Sequence, residues 1–357
     1  MKVGIIDADL IGRKRHRFPN LACMKLSGYH KERGDEVVLK TQYDYLRSFD
    51  KIYIAKVFTD TPIPQDGGLF GSILAMPNVE FGGTGFFGDA APPLPNEVEH
   101  HMPDYHLYDD WLATVDKGGA EFKAYRAQSI GYLTRGCFRH CPFCVNRRCN
   151  EVVKHSPLEE FLDTTRPKIC LLDDNFFGFS GWKEELQKLI DTGKRFCFKQ
   201  GLDARLLDEE KAEMLFSAKY DGEFLFAFDD WSDAELIEEK LKLIRRHVKE
   251  DKARFYVLCG YDRRGVYDED FWYRDLAELI LRLKMLKSYG VLAYVMRYEK
   301  VYASKFHKVY HDIATWANLP NFFKKTEFLN WLAGFHWNIF SPRITEIKKL
   351  WGDKNDC

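Results

Sequence analysis

Residues 134–144 read Thr134-Arg135-Gly136-Cys137-Phe138-Arg139-His140-Cys141-Pro142-Phe143-Cys144, which sets three thiols at CxxxCxxC spacing on one short segment. Thiolates this close can converge on a single soft metal centre, and Gly136 and Pro142 let a loop curl around it. Two chemistries fit. A structural zinc would need a fourth ligand, for which His140 or Cys149 is near in sequence. A 4Fe-4S cube held by three thiolates keeps one iron without a protein ligand, where a substrate or cofactor could coordinate. Three polar clusters follow downstream: Asp173-Asp174-Asn175, the segment from Gln200 to Arg205, and Asp229-Asp230.

Each of these segments follows an apolar run, and the runs form a regular series. Strands are expected at Ile130 to Leu133, Ile169 to Leu172, Phe196 to Lys199, Phe224 to Phe228, Phe255 to Cys259 and Leu292 to Met296. Between them lie helical patterns near Pro157 to Asp163, Trp182 to Thr192, Asp208 to Ala218, Asp233 to Val248 and Phe271 to Lys287. Strand and helix alternation demands a parallel sheet, because parallel neighbours need crossover connections. Six units are too few for an eight-fold barrel, so an open six-stranded one is expected, with chemistry on the loops after the strands. Before it, a strand Val3 to Ile6, a helix Leu21 to Glu32 closed by Gly34, and strands Val37 to Leu39 and Lys51 to Phe58 read as Rossmann-like steps. The stretch from Thr61 to Pro103 is rich in Gly and Pro and reads as loop, with a short strand at Val79 to Phe81. The expected fold class is therefore α/β: a partial (β/α)6 TIM-like barrel with an N-terminal Rossmann-like domain and a C-terminal aromatic-rich helical extension. The boundaries fall at residues 1–125, 126–300 and 301–357.

The balance of the chain suits this. Among 357 residues, 53 Lys and Arg face 54 Asp and Glu, a formal net charge of -1 that argues against a broad electrostatic grip on nucleic acid. No apolar run approaches the roughly 20 residues of a membrane span. The opening MKVGIIDADLIGRKRHR puts its charges after a strand rather than before an apolar export signal, so a cytoplasmic location without membrane contact is expected. Nine cysteines in a chain of this size do not suggest a disulfide framework; a metal site and buried thiols do.

CxxxCxxC with the aromatic Phe143 before the last Cys, after the first strand of a six-fold β/α series, resembles the radical S-adenosylmethionine (SAM) superfamily. The resemblance covers roughly residues 129–300 and implies a 4Fe-4S cluster on Cys137, Cys141 and Cys144, with SAM at the open iron. It also implies an external electron donor of flavodoxin or ferredoxin type. Leu172-Asp173-Asp174-Asn175-Phe176 is similar to the segment that holds the SAM amino group in members with a cobalamin-binding-type N-terminal domain, and otherwise reads as a turn. Lys199-Gln200-Gly201-Leu202-Asp203-Ala204-Arg205 is similar to the polar lining of the SAM pocket, with Gln200 toward ribose and Arg205 toward the carboxylate; a surface salt bridge is the other reading of Arg205. Asp229 stands for a ribose or substrate contact, or for a helix N-cap. The implied reaction cleaves SAM reductively to a 5'-deoxyadenosyl radical that abstracts hydrogen from a substrate, be it a small molecule, a peptide or RNA; no catalytic residue acting on it is assigned. A cobalamin-dependent methyltransferase and a non-catalytic iron-sulfur or zinc module are the alternatives. Asp9-Leu10-Ile11-Gly12 carries no cobalt-ligating His, and Pro-rich residues 91–104 replace a further strand and helix, so a degenerate domain without cobalamin is favoured.

Other features weigh less. His100, His101 and His106 beside Asp104 read as linker rather than metal site, and Gly82-Gly83-Thr84-Gly85 lacks the Lys-Ser or Lys-Thr of a nucleotide loop. Cys23, Cys149, Cys170, Cys197, Cys259 and Cys357 read as thiols outside the cluster, without the spacing of a second one. Four of the eight tryptophans, Trp316, Trp331, Trp337 and Trp351, with Lys324-Lys325 and Lys348-Lys349, read as packing for the extension. The charge run from Glu238 to Lys252 reads as a solvated helix face.

Overall fold

The computed structural model describes residues 1–64, 72–116, 118 and 120–335, so Gly67, Gly68, Trp337, Trp351, Lys348, Lys349 and Cys357 lie outside the described residues. The chain divides into two compact units, Met1–Asp173 with Lys194–Phe196, and Asp174–Gly193 with the chain from Cys197 onward. No described helix is long and apolar enough to cross a membrane.

The first unit opens with a sheet of β1 (Lys2–Asp7), β2 (Glu36–Lys40), β3 (Lys51–Ala55) and β4 (Val79–Gly82), ordered β2-β1-β3-β4. All three ladders are parallel, pairing Val3 with both Val37 and Lys51, and Ile52 with Val79. In β1, Val3, Ile5 and Ile6 have no exposed surface, as expected for a central parallel strand covered on both faces. The helix Leu21–Glu32 starts where Asn20 Oδ1 accepts from the Cys23 amide at 3.2 Å and ends before Gly34, whose φ of +79° suits glycine. The strand expected to reach Phe58 stops at Ala55. Beyond it the Val57 and Phe58 amides donate to the Asp9 carboxylate, and the ladder loses its donors. Residues 61–103, read as loop, also hold short helices at Thr84–Phe87 and Asn96–Glu99.

The alternating series appears as β5 (Gln128–Gly131), a hairpin of β6 (Thr134–Arg135) and β7 (Val153–Lys154), then β8 (Lys168–Leu171), β9 (Arg195–Phe198), β10 (Phe224–Ala227), β11 (Ala253–Cys259) and β12 (Leu292–Arg297). These strands, the hairpin apart, form two three-stranded sheets, β5-β8-β9 and β10-β11-β12. β5 meets β8 in parallel, as β10, β11 and β12 meet one another. The helix expected over Pro157 to Asp163 is only a 3-10 turn, Leu158–Glu160. Its backbone is claimed elsewhere: Tyr105 Oη donates to the Phe161 carbonyl at 2.6 Å, and the Asp163 amide donates to Ser129 Oγ at 3.0 Å. Gly131 makes this possible, since a Cβ there would lie 2.2 Å from the Phe161 ring.

In the second unit the helices Trp182–Asp191, Glu209–Ser217, Ala234–His247 and Glu269–Ser288 match the sequence periodicity within two residues. Ile237, Leu241 and Ile244 form the buried stripe of Ala234–His247, and its charged residues take the other face. Trp316, with no exposed surface, packs against Phe323 and Phe328, so the described part of the extension is a small aromatic core.

Candidate functional site

The cysteine loop is the connection of the β6–β7 hairpin, which the sequence reading lacked. Its base pairs Thr134 with Lys154 and Arg135 with Val153. Gly136 leaves β6 at φ +96°, where a Cβ would meet the Glu151 carbonyl at 2.4 Å, so this position needs glycine. Successive turns then follow, with the Cys144 amide donating to the Cys141 carbonyl at 2.9 Å and the Cys149 amide to the Asn146 carbonyl at 3.0 Å. The Asn146 amide donates to Cys144 Sγ at 3.4 Å, a bond of the kind that tunes cluster thiolates. Cys137, Cys141, Cys144 and Cys149 are partly exposed, whereas Cys23, Cys170 and Cys259 are buried. Among the described residues no three His, Cys, Asp or Glu side chains are gathered as a preformed metal site. The donor set nonetheless suits a soft metal, because three accessible sulfurs share one turn-rich loop.

The loop is held from two sides. Asp89 accepts from Arg147 Nε at 2.7 Å and pairs with Arg148 Nε at 2.8 Å, and hydrogen bonding from Arg147 keeps its carboxyl below the ordinary range. Asp173, fully buried, accepts from the Thr134 amide and the Thr134 hydroxyl, both at 2.7 Å, and from the Leu133 amide at 3.2 Å. The sequence reading aimed Asp173 at SAM; the structure uses both of its oxygens on the chain that enters the loop. Phe143 is exposed beside the last cysteine. Beneath the hairpin, His155 and Lys25 sit 3.3 and 2.8 Å from Glu99. Burial alone would raise the Glu99 carboxyl, but His155 and Lys25 draw it down to about 2.

The second unit carries the other predicted contacts. Asp174 is half-buried and Asn175 buried, ahead of the 3-10 turn Phe176–Gly178. Gln200 is exposed just after β9. Asp203 caps the turn Ala204–Leu206 and grips Arg205 through Nε at 2.8 Å and Nη2 at 3.3 Å, while Arg205 Nη1 donates to Asp233 at 3.0 Å. Arg205 is thus already a member of an ion triad. Asp229 is not an N-cap; Asp230 takes that role toward Ser232, and Asp229 accepts from the Leu258 amide at 2.9 Å. Burial raises the Asp229 carboxyl, partly offset by the Leu258 bond and by Arg282. Arg282, missed in the sequence, is buried with Nη1 on the carbonyls of Phe228, Asp229 and Leu258 at 3.1, 2.9 and 2.9 Å. Its signal was present: an Arg inside the stripe Leu279, Leu283, Leu286 must find buried acceptors.

The lesser candidates separate. His100, His101 and His106 face different carboxylates, Glu160, Glu32 and Asp109. Gly83 and Gly85 allow close packing on Lys56, whose carbonyl would lie 2.3 Å from a Cβ at Gly83.

No family model and no curated protein matches the chain. Among solved structures, it is similar to the cobalamin-dependent S-adenosylmethionine radical enzyme OxsB with aqua-cobalamin and S-adenosylmethionine bound, at a TM-score of 0.47 and 14% identity, over 91% of this chain. The chain spans 56% of the length of that protein. A spore photoproduct lyase variant with bound AdoMet and dinucleoside spore photoproduct matches at a TM-score of 0.27 and 10% identity, over 100% of this chain and 84% of the other.

Proposed function

We propose that this chain is a cytoplasmic radical SAM enzyme, in which Cys137, Cys141 and Cys144 hold a 4Fe-4S cluster and SAM takes the open iron. One observation supports this most: three accessible thiols at CxxxCxxC spacing stand on the hairpin that follows the first strand of the alternating series. When bound, the cluster supplies an electron from a flavodoxin-type or ferredoxin-type donor, and reductive SAM cleavage yields a 5'-deoxyadenosyl radical able to take hydrogen from a substrate. The chain's own part is positioning. Asp173 fixes the entry to the loop through Leu133 and Thr134, and Asp89 anchors its far end through Arg147 and Arg148. Phe143, Asp174, Asn175, Gln200, Asp203 and Asp229 are the SAM contacts on this reading. Arg205 would share its guanidinium between Asp203 and the SAM carboxylate. Residues 1–125 serve as a degenerate Rossmann-like domain without cobalamin, 126–300 as the partial barrel, and 301–357 as its extension.

Anaerobic reconstitution tests the proposal. About four irons per chain are expected, with release of 5'-deoxyadenosine from SAM when dithionite is added; zinc content without SAM cleavage would overturn the reading. Cys141→Ala should abolish both signals. Hydroxocobalamin retained through gel filtration would instead point to a cobalamin-dependent methyltransferase.

A further inference from the structure

In an open parallel sheet, ligands bind beyond the carboxyl ends of the strands, where neighbouring strands lead their connections to opposite sides. In the order β2-β1-β3-β4 that place is between β1 and β3. The loops leaving those two strands line a cavity of about 520 Å³, with Arg13-Lys14-Arg15-His16-Arg17 on one side and Phe58 and Asp60 on the other. Five consecutive basic residue types are thus concentrated at one crevice in a chain whose net charge is -1.

The five are not equivalent. Arg13 is neutralised by Asp60 at 2.5 Å and lies over the Phe58 ring at 4.2 Å. Arg17 turns back, donating to the carbonyls of Lys14 and His16 at 2.9 and 2.7 Å and lying 3.2 Å from Glu121. His16 meets the Phe58 ring edge-on at 5.8 Å. Lys14 and Arg15 are exposed and have no ion-pair partner among the described residues. Asp9 and Asp7 are buried and bonded elsewhere, Asp9 to the Val57 amide and Thr61, and Asp7 to Tyr108 and the amides of Asp9 and Leu10. Asp9 thereby fixes the β3 loop that carries Phe58. The crevice therefore offers two uncommitted cations, a partly exposed aromatic ring, and far more room than a single phosphate fills.

We propose that this crevice binds a nucleoside phosphate, with Lys14 and Arg15 on the phosphates and Phe58 with His16 against the base. The same chemistry is presented by a free nucleotide and by a nucleotide of single-stranded RNA. This site is separate from the cysteine loop and does not depend on the SAM reading.

Binding to the full-length protein decides it, with ATP, inorganic phosphate and a single-stranded RNA oligonucleotide titrated in turn by calorimetry. ATP is expected to bind at one site per chain and to weaken by about tenfold or more in Lys14→Gln/Arg15→Gln, the loss of two phosphate contacts. Lys242→Gln, on an exposed helix face, should leave it unchanged, and Phe58→Ala should weaken ATP but not inorganic phosphate. RNA that competes with ATP and is lost in the double variant identifies the strand as the source; ATP without RNA identifies the free nucleotide. No saturable ATP binding, ATP binding indifferent to the double variant, phosphate binding as tight as ATP, or displacement by hydroxocobalamin would each overturn the proposal. Unchanged thermal unfolding of the double variant keeps misfolding from imitating success.

Discussion

Asp173 in the first unit and Arg282 in the second are both buried ions that bond to main chain, but they collect opposite groups. Asp173 gathers the amides of Leu133 and Thr134 just after β5, where the chain turns into the cysteine hairpin. Arg282 gathers the carbonyls of Phe228, Asp229 and Leu258 where β10 and β11 end. The sign of each ion matches the main-chain groups it collects. Both sites follow parallel strands, and the second presents groups of both kinds, since the Leu258 amide goes to Asp229 while its carbonyl goes to Arg282. Buried groups of either kind are costly without a partner, so each ion sets the path of a loop rather than adding a discretionary contact.

The comparison can be broken most directly at Arg282. Arg282→Met keeps the volume but strands three carbonyls, and should cost about 3–5 kcal/mol in urea unfolding; a loss below 1 kcal/mol would mean that water reaches them. Asp173→Ala should cost about 2–3 kcal/mol through the unpaired amides and the Thr134 hydroxyl. It should also lower iron retention and 5'-deoxyadenosine release together, whereas intact iron binding would mean that the loop keeps its path without Asp173. Asp7 sharpens the contrast as a third buried ionisable group. Its amide bonds are long, at 3.2 Å, and burial raises its carboxyl from 3.8 to about 7, with the Tyr108 hydroxyl opposing and Asp9 adding to the rise. Because the folded carboxyl holds its proton longer than the unfolded one, the stability it lends is full below about pH 4. That stability fades as pH climbs toward 7, by up to about 4 kcal/mol. Asp7→Asn should therefore flatten the decline in melting temperature between pH 4 and 7 and stabilise the protein at pH 8. An unchanged profile would place the titration elsewhere. Gln200→Ala touches no such group, so stability should stay within about 0.5 kcal/mol, and only the KM for SAM should rise.

The strands and helices of the alternating series were legible because burial imposes its period directly on the residues. Ala234–His247 and Glu269–Ser288 follow their apolar stripes almost to the residue. What escaped was structure set by side chains reaching the backbone. Asp9 ends β3 early, Tyr105 and Ser129 dissolve a helix near Phe161, and the β6–β7 hairpin rests on two residues per strand, too few to leave a pattern. The site shows the same division. Three cysteines announce themselves by spacing, whereas the partners of Asp173 and Asp229, and Asp233 as the second partner of Arg205, depend on contacts between distant positions that no local pattern encodes.

The unequal accessibility of the cysteines makes the protein its own reporter. Of the eight in the described residues, Cys23, Cys170 and Cys259 are shielded and five are reachable. In a Cys357→Ser background, a brief pulse of alkylating reagent read by mass would count five modified thiols on the metal-free chain. With Cys137, Cys141 and Cys144 occupied it would count two, Cys149 and Cys197. Loading of the loop could thus be followed chain by chain in a mixture, without colour, magnetism or turnover.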